Sequence, residues 1–204
     1  CEVIFAENER TVRRYLKALD RNIDINSFTW YSIHQVEAEQ VHHFREAMAS
    51  GKNIAIISES GCPGIADPGQ ILVAEAQQKN IPVIPLVGPN SLLLALMASG
   101  LNGQQFEFVG YLPVDAAARN KRIRELEAGS AKNNSTKLFI ETPYRNNALL
   151  ESLLQQLQPS TRLCIAINIT ATDERIITRT VADWKKQKPE LPKQPAIFLL
   201  LAGN

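Results

Sequence analysis

Cysteine, histidine and net charge are all scarce in this chain, and each scarcity removes a class of function. Its 204 residues hold three cysteines, Cys1, Cys62 and Cys164, and no two stand at Cys-x-x-Cys spacing. That argues against a zinc site or a disulfide framework and suits a reducing, cytoplasmic setting. The three histidines offer no metal pattern. His42 and His43 are helix neighbours whose side chains should leave the axis about 100° apart, and His34 has no partner at a ligand spacing. No metal is expected. The formal net charge is only +1, whereas proteins that grip many phosphates usually carry a basic excess. No apolar run approaches membrane-spanning length, and no signal-peptide pattern stands out. A Gly-Lys-Ser/Thr phosphate loop is absent, and the glycine spacing does not fit a dinucleotide fingerprint.

What is present is ample apolar material, 45% of residues, arranged in alternating strand-like and helix-like patterns. Strands are expected at Val3–Ala6, Phe28–Ile33, 54–57 and 82–86. Between them fall helices begun by Asn8, marked by Val41, Phe44 and Met48, and covering about 69–79 and 90–99. This alternation implies a parallel sheet. Leu101-Asn102-Gly103-Gln104 is the best boundary, giving an N-terminal α/β domain at 1–103 and a C-terminal domain at 104–204. In the latter, strands are expected near 106–110, 136–141, 162–168, 175–181 and 196–202, with helices near 116–128 and 144–157. Two consecutive strands within 162–181 break the alternation, so the second domain should be a mixed α+β sheet. Pro189 to Pro195 reads as a short connection.

The richest stretch runs from Ser58 through Glu59, Ser60, Gly61, Cys62, Pro63, Gly64, Ile65, Ala66, Asp67 and Pro68 to Gly69. It follows the apolar run Ile54–Ile57 and precedes a helix. A buried strand emptying into such a turn is where open α/β sheets bind ligands. Its glycines let backbone approach a small molecule closely, and Glu59 and Asp67 frame it. Cys62 has no histidine obviously paired with it, so a catalytic thiol is not expected. Gly88-Pro89-Asn90-Ser91 opens a helix whose N–H groups suit a carboxylate. Glu141-Thr142-Pro143-Tyr144-Arg145 stands where a strand meets a helix. Arg119, Lys121, Arg122 and Arg124 form a basic cluster that reads either as a solvated helix face or as a phosphate contact.

Five of these motifs, in order, resemble the tetrapyrrole methylase superfamily, and more narrowly its branch that methylates a ribose 2′-hydroxyl of small-subunit ribosomal RNA. Phe5 to Arg10 is similar to that branch's Ala-Ala-Glu-Asp-Thr-Arg, and the Ser58–Gly69 turn to Ser-Asp-Ala-Gly-x-Pro-x-x-x-Asp-Pro-Gly. Pro85 to Pro89 resembles Pro-Leu-Pro-Gly-Pro, Gly110 to Pro113 resembles Gly-Phe-Leu-Pro, and Ile140 to Arg145 resembles Tyr-Glu-Ser-Pro-His-Arg. The resemblance implies a two-domain fold with S-adenosylmethionine in the cleft between the domains, a cytoplasmic homodimer, and ribosomal RNA or the small ribosomal subunit as partner. It places the cofactor against Glu59, Gly61, Cys62 and Ile65, against Asn90 and Ser91, and against Ile169, Pro195 and Ala196. It implies catalytic roles for Glu7, Glu141 and Arg145, and substrate contacts for Arg10 and Arg119. It also implies an earlier strand and a Pro-rich loop, so the natural protein is expected to begin upstream of Cys1.

The chain departs from that branch in two places. Ala166-Ile167-Asn168-Ile169-Thr170-Ala171 stands for Ala-Arg-Glu-Leu-Thr-Lys, and Lys193-Gln194-Pro195 for Lys-Gly-Glu. The cofactor side of the pattern is therefore kept better than the substrate side. Three readings stay open: an RNA ribose methyltransferase, a methyltransferase of a tetrapyrrole-like small molecule or protein side chain, and a cofactor-binding protein without transfer activity.

Overall fold

In a computed structural model, residues 1–204 are described except Gln35, Ser60 and Asn204. The chain divides into two compact units, Cys1–Asn90 and Ser91–Asn204.

Strand β1 (Val3–Ala6) organises the first unit, and all four of its residues are buried. It lies between β2 (Thr29–Ser32) and β3 (Ile54–Ile57), parallel to both. Because side chains alternate along a strand, Val3 and Phe5 join one core with Phe44, Ala47, Leu72 and Ala76. Those four come from α2 (Val41–Ala49) and α3 (Gln70–Gln78). Ile4 and Ala6 join Val12 in a second core, supplied by α1 (Glu9–Leu19). Helices thus cover both faces, as parallel sheets require. Asn8 caps α1 by accepting the Thr11 N–H, as its position in the sequence suggested.

The strand expected at 82–86 is not formed. Residues 81–90 carry no regular secondary structure, and Ile84, Leu86 and Val87 are exposed. Pro82, Pro85 and Pro89 remove N–H donors from this segment, and proline belongs at the edges of sheets rather than inside them. The apolar content has β propensity, but a strand exists only with a partner edge, and the sheet here has the order β2-β1-β3.

The second unit opens with α4 (Ser91–Ser99). Its sheet has the order β4-β5-β8-β6-β7. The strands are β4 (Phe106–Tyr111), β5 (Thr136–Glu141), β6 (Arg162–Ile167), β7 (Arg175–Thr180) and β8 (Ala196–Leu201). Only β4 and β5 run parallel, so the sheet is mixed as expected. Alternation again sorts the two faces. Phe139, Leu163, Ile165, Phe198 and Leu200 meet Ile123, Leu126, Leu150, Leu153 and Trp184, which lie on α5 (Ala116–Asn133), α6 (Asn146–Gln156) and α7 (Val181–Lys186). Leu138, Cys164, Ile197 and Leu199 meet Ala95 and Leu96 of α4. That packing assigns α4 to the second unit, ahead of the boundary drawn after residue 103. Helix α7 is absent from the sequence reading; at six residues it is too short to show a period. Thr180 caps it, and the Trp184 indole N–H donates to the Leu163 carbonyl at 2.8 Å.

Burial separates two leucines of similar chemistry. Leu153 is 0% exposed and Leu86 is 89% exposed. Leu153→Ala should cost about 2–5 kcal/mol by removing packed methyl groups, and Leu86→Ala should stay within about 0.5 kcal/mol. Urea unfolding followed by circular dichroism measures both.

Candidate functional site

In the first unit, three strand exits are stitched together by backbone. Ile33 N–H donates to the Ala6 carbonyl and Glu7 N–H to the Ile57 carbonyl, each at 2.9 Å. The parallel register pairs Ala6 with both Ser32 and Ile57, so the residues that follow the three strands leave from the same end of the sheet. Glu7 uses one carboxylate oxygen, Oε2, to accept the Glu59 N–H at 2.8 Å. Its other oxygen lies 3.6 Å from His34 Nδ1. Glu59 in turn accepts the Thr11 hydroxyl at 2.6 Å. Glu7, Asn8, Arg10, Ser32, His34 and Glu59 line an open cavity of about 400 Å³. Of the residues expected at a site, Glu7, Arg10 and Glu59 are therefore together. His34 joins them although sequence spacing gave it no partner; the signal was its place just past β2, which only the register converts into proximity.

The turn beyond β3 is dense in left-handed backbone. Gly61, Cys62, Gly64, Ala66 and Gly69 all have positive φ, a conformation that costs non-glycine residues energy and clusters at ligand sites. Gly64 N–H donates to the Pro68 carbonyl at 3.0 Å, folding the turn on itself. Gly69 has φ +128°, and a Cβ there would stand 3.2 Å from Gly64 N, Ile56 Cγ2 and Pro63 Cβ. The Cys62 thiol points to the Pro89 carbonyl at 3.7 Å, which fixes one end of the 81–90 segment beside the turn. Ile65 is half exposed. Ser60, part of this motif, lies outside the described residues. The N-terminus of α3 is already filled, since Glu37 accepts the Ile71 and Leu72 N–H groups at 2.8 and 3.1 Å.

Burial raises the pKa of Asp67 above the usual carboxylate range, and the nearby charges of Glu7 and Glu59 push it the same way; the Ser58 hydroxyl works against the rise. The turn thus gathers three carboxylates, a set that suits a cationic or hydroxyl-bearing ligand.

His42 and His43 do not diverge as expected. Their rings lie 3.7 Å apart, with His43 stacked 4.5 Å from Tyr31. Among the described residues no group of three or more His, Cys, Asp or Glu could hold a metal.

In the second unit, the register of three adjacent strands collects a second set. Glu141 pairs with Ala196, and Ala196 with Ile167. The Pro195 carbonyl accepts the Asn168 N–H at 2.9 Å. Glu141, Pro195, Ala196 and the start of the 168–174 turn, which includes Ile169, therefore share one end of the sheet. Ser91 opens α4 immediately after Asn90. Glu141 is buried, and its Oε1 accepts the Thr142 N–H at 2.6 Å and two Arg145 N–H groups at 3.0 and 2.6 Å. Arg119 is likewise engaged: it donates to Ser152 Oγ at 3.1 Å and to the Val114 carbonyl at 2.8 Å. Arg124 bonds Gln156, and Arg122 lies 3.5 Å from Glu125.

The two departures from the family pattern meet at one carboxylate. Asp173 accepts from the Asn168 side-chain amide through one oxygen and from Gln194 at 2.6 Å through the other. These hydrogen bonds hold its pKa below the usual range.

A parallel α/β unit ending in a glycine turn with convergent carboxylates, joined in sequence to a mixed-sheet unit, defines a two-unit α/β fold of the methylase type. The chain belongs to the family of Tetrapyrrole (Corrin/Porphyrin) Methylases, whose pattern matches residues 1–184. It is 34% identical over 178 residues to "Ribosomal RNA small subunit methyltransferase I" of Vibrio cholerae serotype O1, covering 83% of this chain and 60% of that protein. The same-named protein of Halalkalibacterium halodurans is 29% identical over 202 residues, covering 98% of this chain and 66% of that protein. The chain thus spans about 60% of the length of the first of these relatives. In fold it is similar to the methyltransferase CobJ, with TM-score 0.57 at 16% identity over 98% of this chain and 93% of that one. Diphthine synthase gives TM-score 0.59 at 12% identity, covering 98% and 79%.

The raised Asp67 pKa has a consequence for stability. The folded protein holds this proton more tightly than the unfolded chain, so folding takes up a proton between the ordinary Asp pKa, about 3.9, and the raised value. Stability falls as pH climbs through that window. Asp67→Asn should therefore melt at a higher temperature than the wild type at pH 7, with the advantage gone near pH 3. Thermal melts at the two pH values check this.

Proposed function

We propose that this chain is the larger part of an S-adenosylmethionine-dependent methyltransferase that acts on a ribose 2′-hydroxyl of small-subunit ribosomal RNA. The observation that carries the reading is the family match over residues 1–184, supported by relatives named as small-subunit ribosomal RNA methyltransferases. A structure of similar fold, uroporphyrin-III C-methyltransferase from Thermus thermophilus, was solved with S-adenyl homocysteine.

The residues present suit the cofactor. The Gly61–Gly69 turn exposes backbone in left-handed conformations, and a Cβ at Gly61 would meet nothing closer than the Pro89 carbonyl at 3.8 Å. Carboxylates at Glu59 and Asp67 suit an ammonium group, ribose hydroxyls or a sulfonium charge, and Ile65 adds apolar surface. We assign the cofactor to Glu59, Gly61, Cys62 and Ile65 in the first unit together with Asn90, and to Ser91, Ile169, Pro195 and Ala196 in the second. The cofactor supplies an activated methyl group. The protein's tasks are to hold the accepting oxygen close and in line and to receive its proton. Glu7 and Arg10 are assigned to the substrate side of the first unit. In the second, Glu141 and Arg145 act as a unit, because the buried carboxylate fixes the guanidinium at the start of α6.

A second reading has its own observation. Positions that carry Glu and Gly in the ribosomal RNA branch are Asn168 and Gln194 here, and both amides are committed to Asp173. Together with Arg119 held by Ser152 and Val114, this favours either another methyl acceptor or cofactor binding without transfer.

Calorimetry with S-adenosylhomocysteine should give one site on the chain. Ser91→Arg should abolish that heat while leaving the melting temperature within a few degrees, and heat surviving in the variant would remove Ser91 from the site. Incubation with labelled S-adenosylmethionine and small-subunit RNA from methylase-deficient cells should label ribose. Label on a base would discard the ribose assignment, and binding without any label would select the second reading.

A further inference from the structure

Among the described residues lining the cavity of the first unit, His34 carries a titratable ring. Its backbone is placed by register: Ile33 is fully buried and its N–H is bonded to the Ala6 carbonyl. Residue 34 follows directly and leaves from the same end of the sheet as residue 7. The Nδ1 atom lies 3.6 Å from Glu7 Oε1, with side-chain exposures of 60% for His34 and 13% for Glu7. That separation is an ion-pair distance just outside hydrogen-bond length, and such pairs tighten when substrate binds. Glu7 is not free to swing away, because its second oxygen holds the Glu59 N–H. A fixed carboxylate facing Nδ1 favours the tautomer protonated there and leaves Nε2 as an acceptor. The exposed part of the ring meets solvent, where an external substrate arrives. The charged groups around it are Glu7 past β1, Glu9 and Arg10 on α1, and Glu59 past β3.

We propose that His34 accepts the proton of the methyl-accepting hydroxyl and that Glu7 is its positioning residue. The inference rests on the methyltransferase reading above. In the step, the hydroxyl oxygen bonds to the methyl carbon, the carbon–sulfur bond breaks with its electron pair left on sulfur, and the hydroxyl proton passes to His34 Nε2. The sulfonium charge ends as imidazolium charge, 3.6 Å from Glu7. Imidazole is the side chain most often used as a general base for such a proton transfer.

Two measurements test this. In ligand-free protein, nitrogen NMR of the His34 ring should show the Nδ1-protonated tautomer in the wild type and lose that bias in Glu7→Gln; an unchanged tautomer ratio overturns the pairing. In methyl transfer to small-subunit RNA, His34→Gln should lower kcat about 10²–10⁴-fold with S-adenosylhomocysteine affinity unchanged. The acid limb of the kcat–pH profile should disappear with it. A variant that keeps wild-type kcat and the same acid limb overturns the proton role, and one that loses S-adenosylhomocysteine binding assigns the ring to the cofactor instead and overturns it equally. Failure of the wild type to label any RNA, with the NMR result intact, strikes the methyltransferase reading rather than the pair.

Discussion

One carboxylate ties together the strand exits of the first unit. Glu7 leaves the central strand and accepts the N–H of Glu59, which leaves the neighbouring strand. A charge-assisted bond of this kind is stronger than one between neutral groups, and it spans two strand exits 52 positions apart in sequence. Thr11 and His34 each contact one of its two partners, Thr11 at Glu59 and His34 at Glu7. The Glu7–Glu59 bond adds to the backbone bond from Glu7 N–H to the Ile57 carbonyl and to the Thr11–Glu59 bond, which join the same two exits.

The sheet and its helices were readable because the physics that forms them is local. Alternation along Val3–Ala6, Leu138–Phe139 and Ile197–Phe198 announces two covered faces, and Asn8 announces a helix start. The segment 82–86 has the apolar content of a strand but also Pro82 and Pro85, and a strand needs a neighbour that no pattern supplies. Helix α4 belongs with the second sheet for a similarly non-local reason: Ala95 and Leu96 find Cys164 and Leu199. At the site, the turn was legible from its glycines. His34 was not, since nothing in its own neighbourhood pairs with it, and neither was the engagement of Arg119 by Ser152, 33 positions away.

The two units use charge differently. The first gathers carboxylates around a cavity, and burial together with their mutual repulsion lifts Asp67. In the second, Glu141 is paired with Arg145, while Arg124 and Arg119 keep their charge and hydrogen-bond the neutral side chains of Gln156 and Ser152 on α6. A near-neutral protein can in this way contain strongly charged local fields, and the sum of its charges describes neither unit.

Asp173 joins Asn168 to Gln194, and so ties the turn after β6 to the entry of β8. The consequence concerns tolerance to substitution. A glutamate at position 168 would set two carboxylates against each other, and a glycine at position 194 would leave one oxygen of Asp173 without its amide. The three side chains form one hydrogen-bonded set, so the effect of changing any one of them depends on which residues stand at the other two.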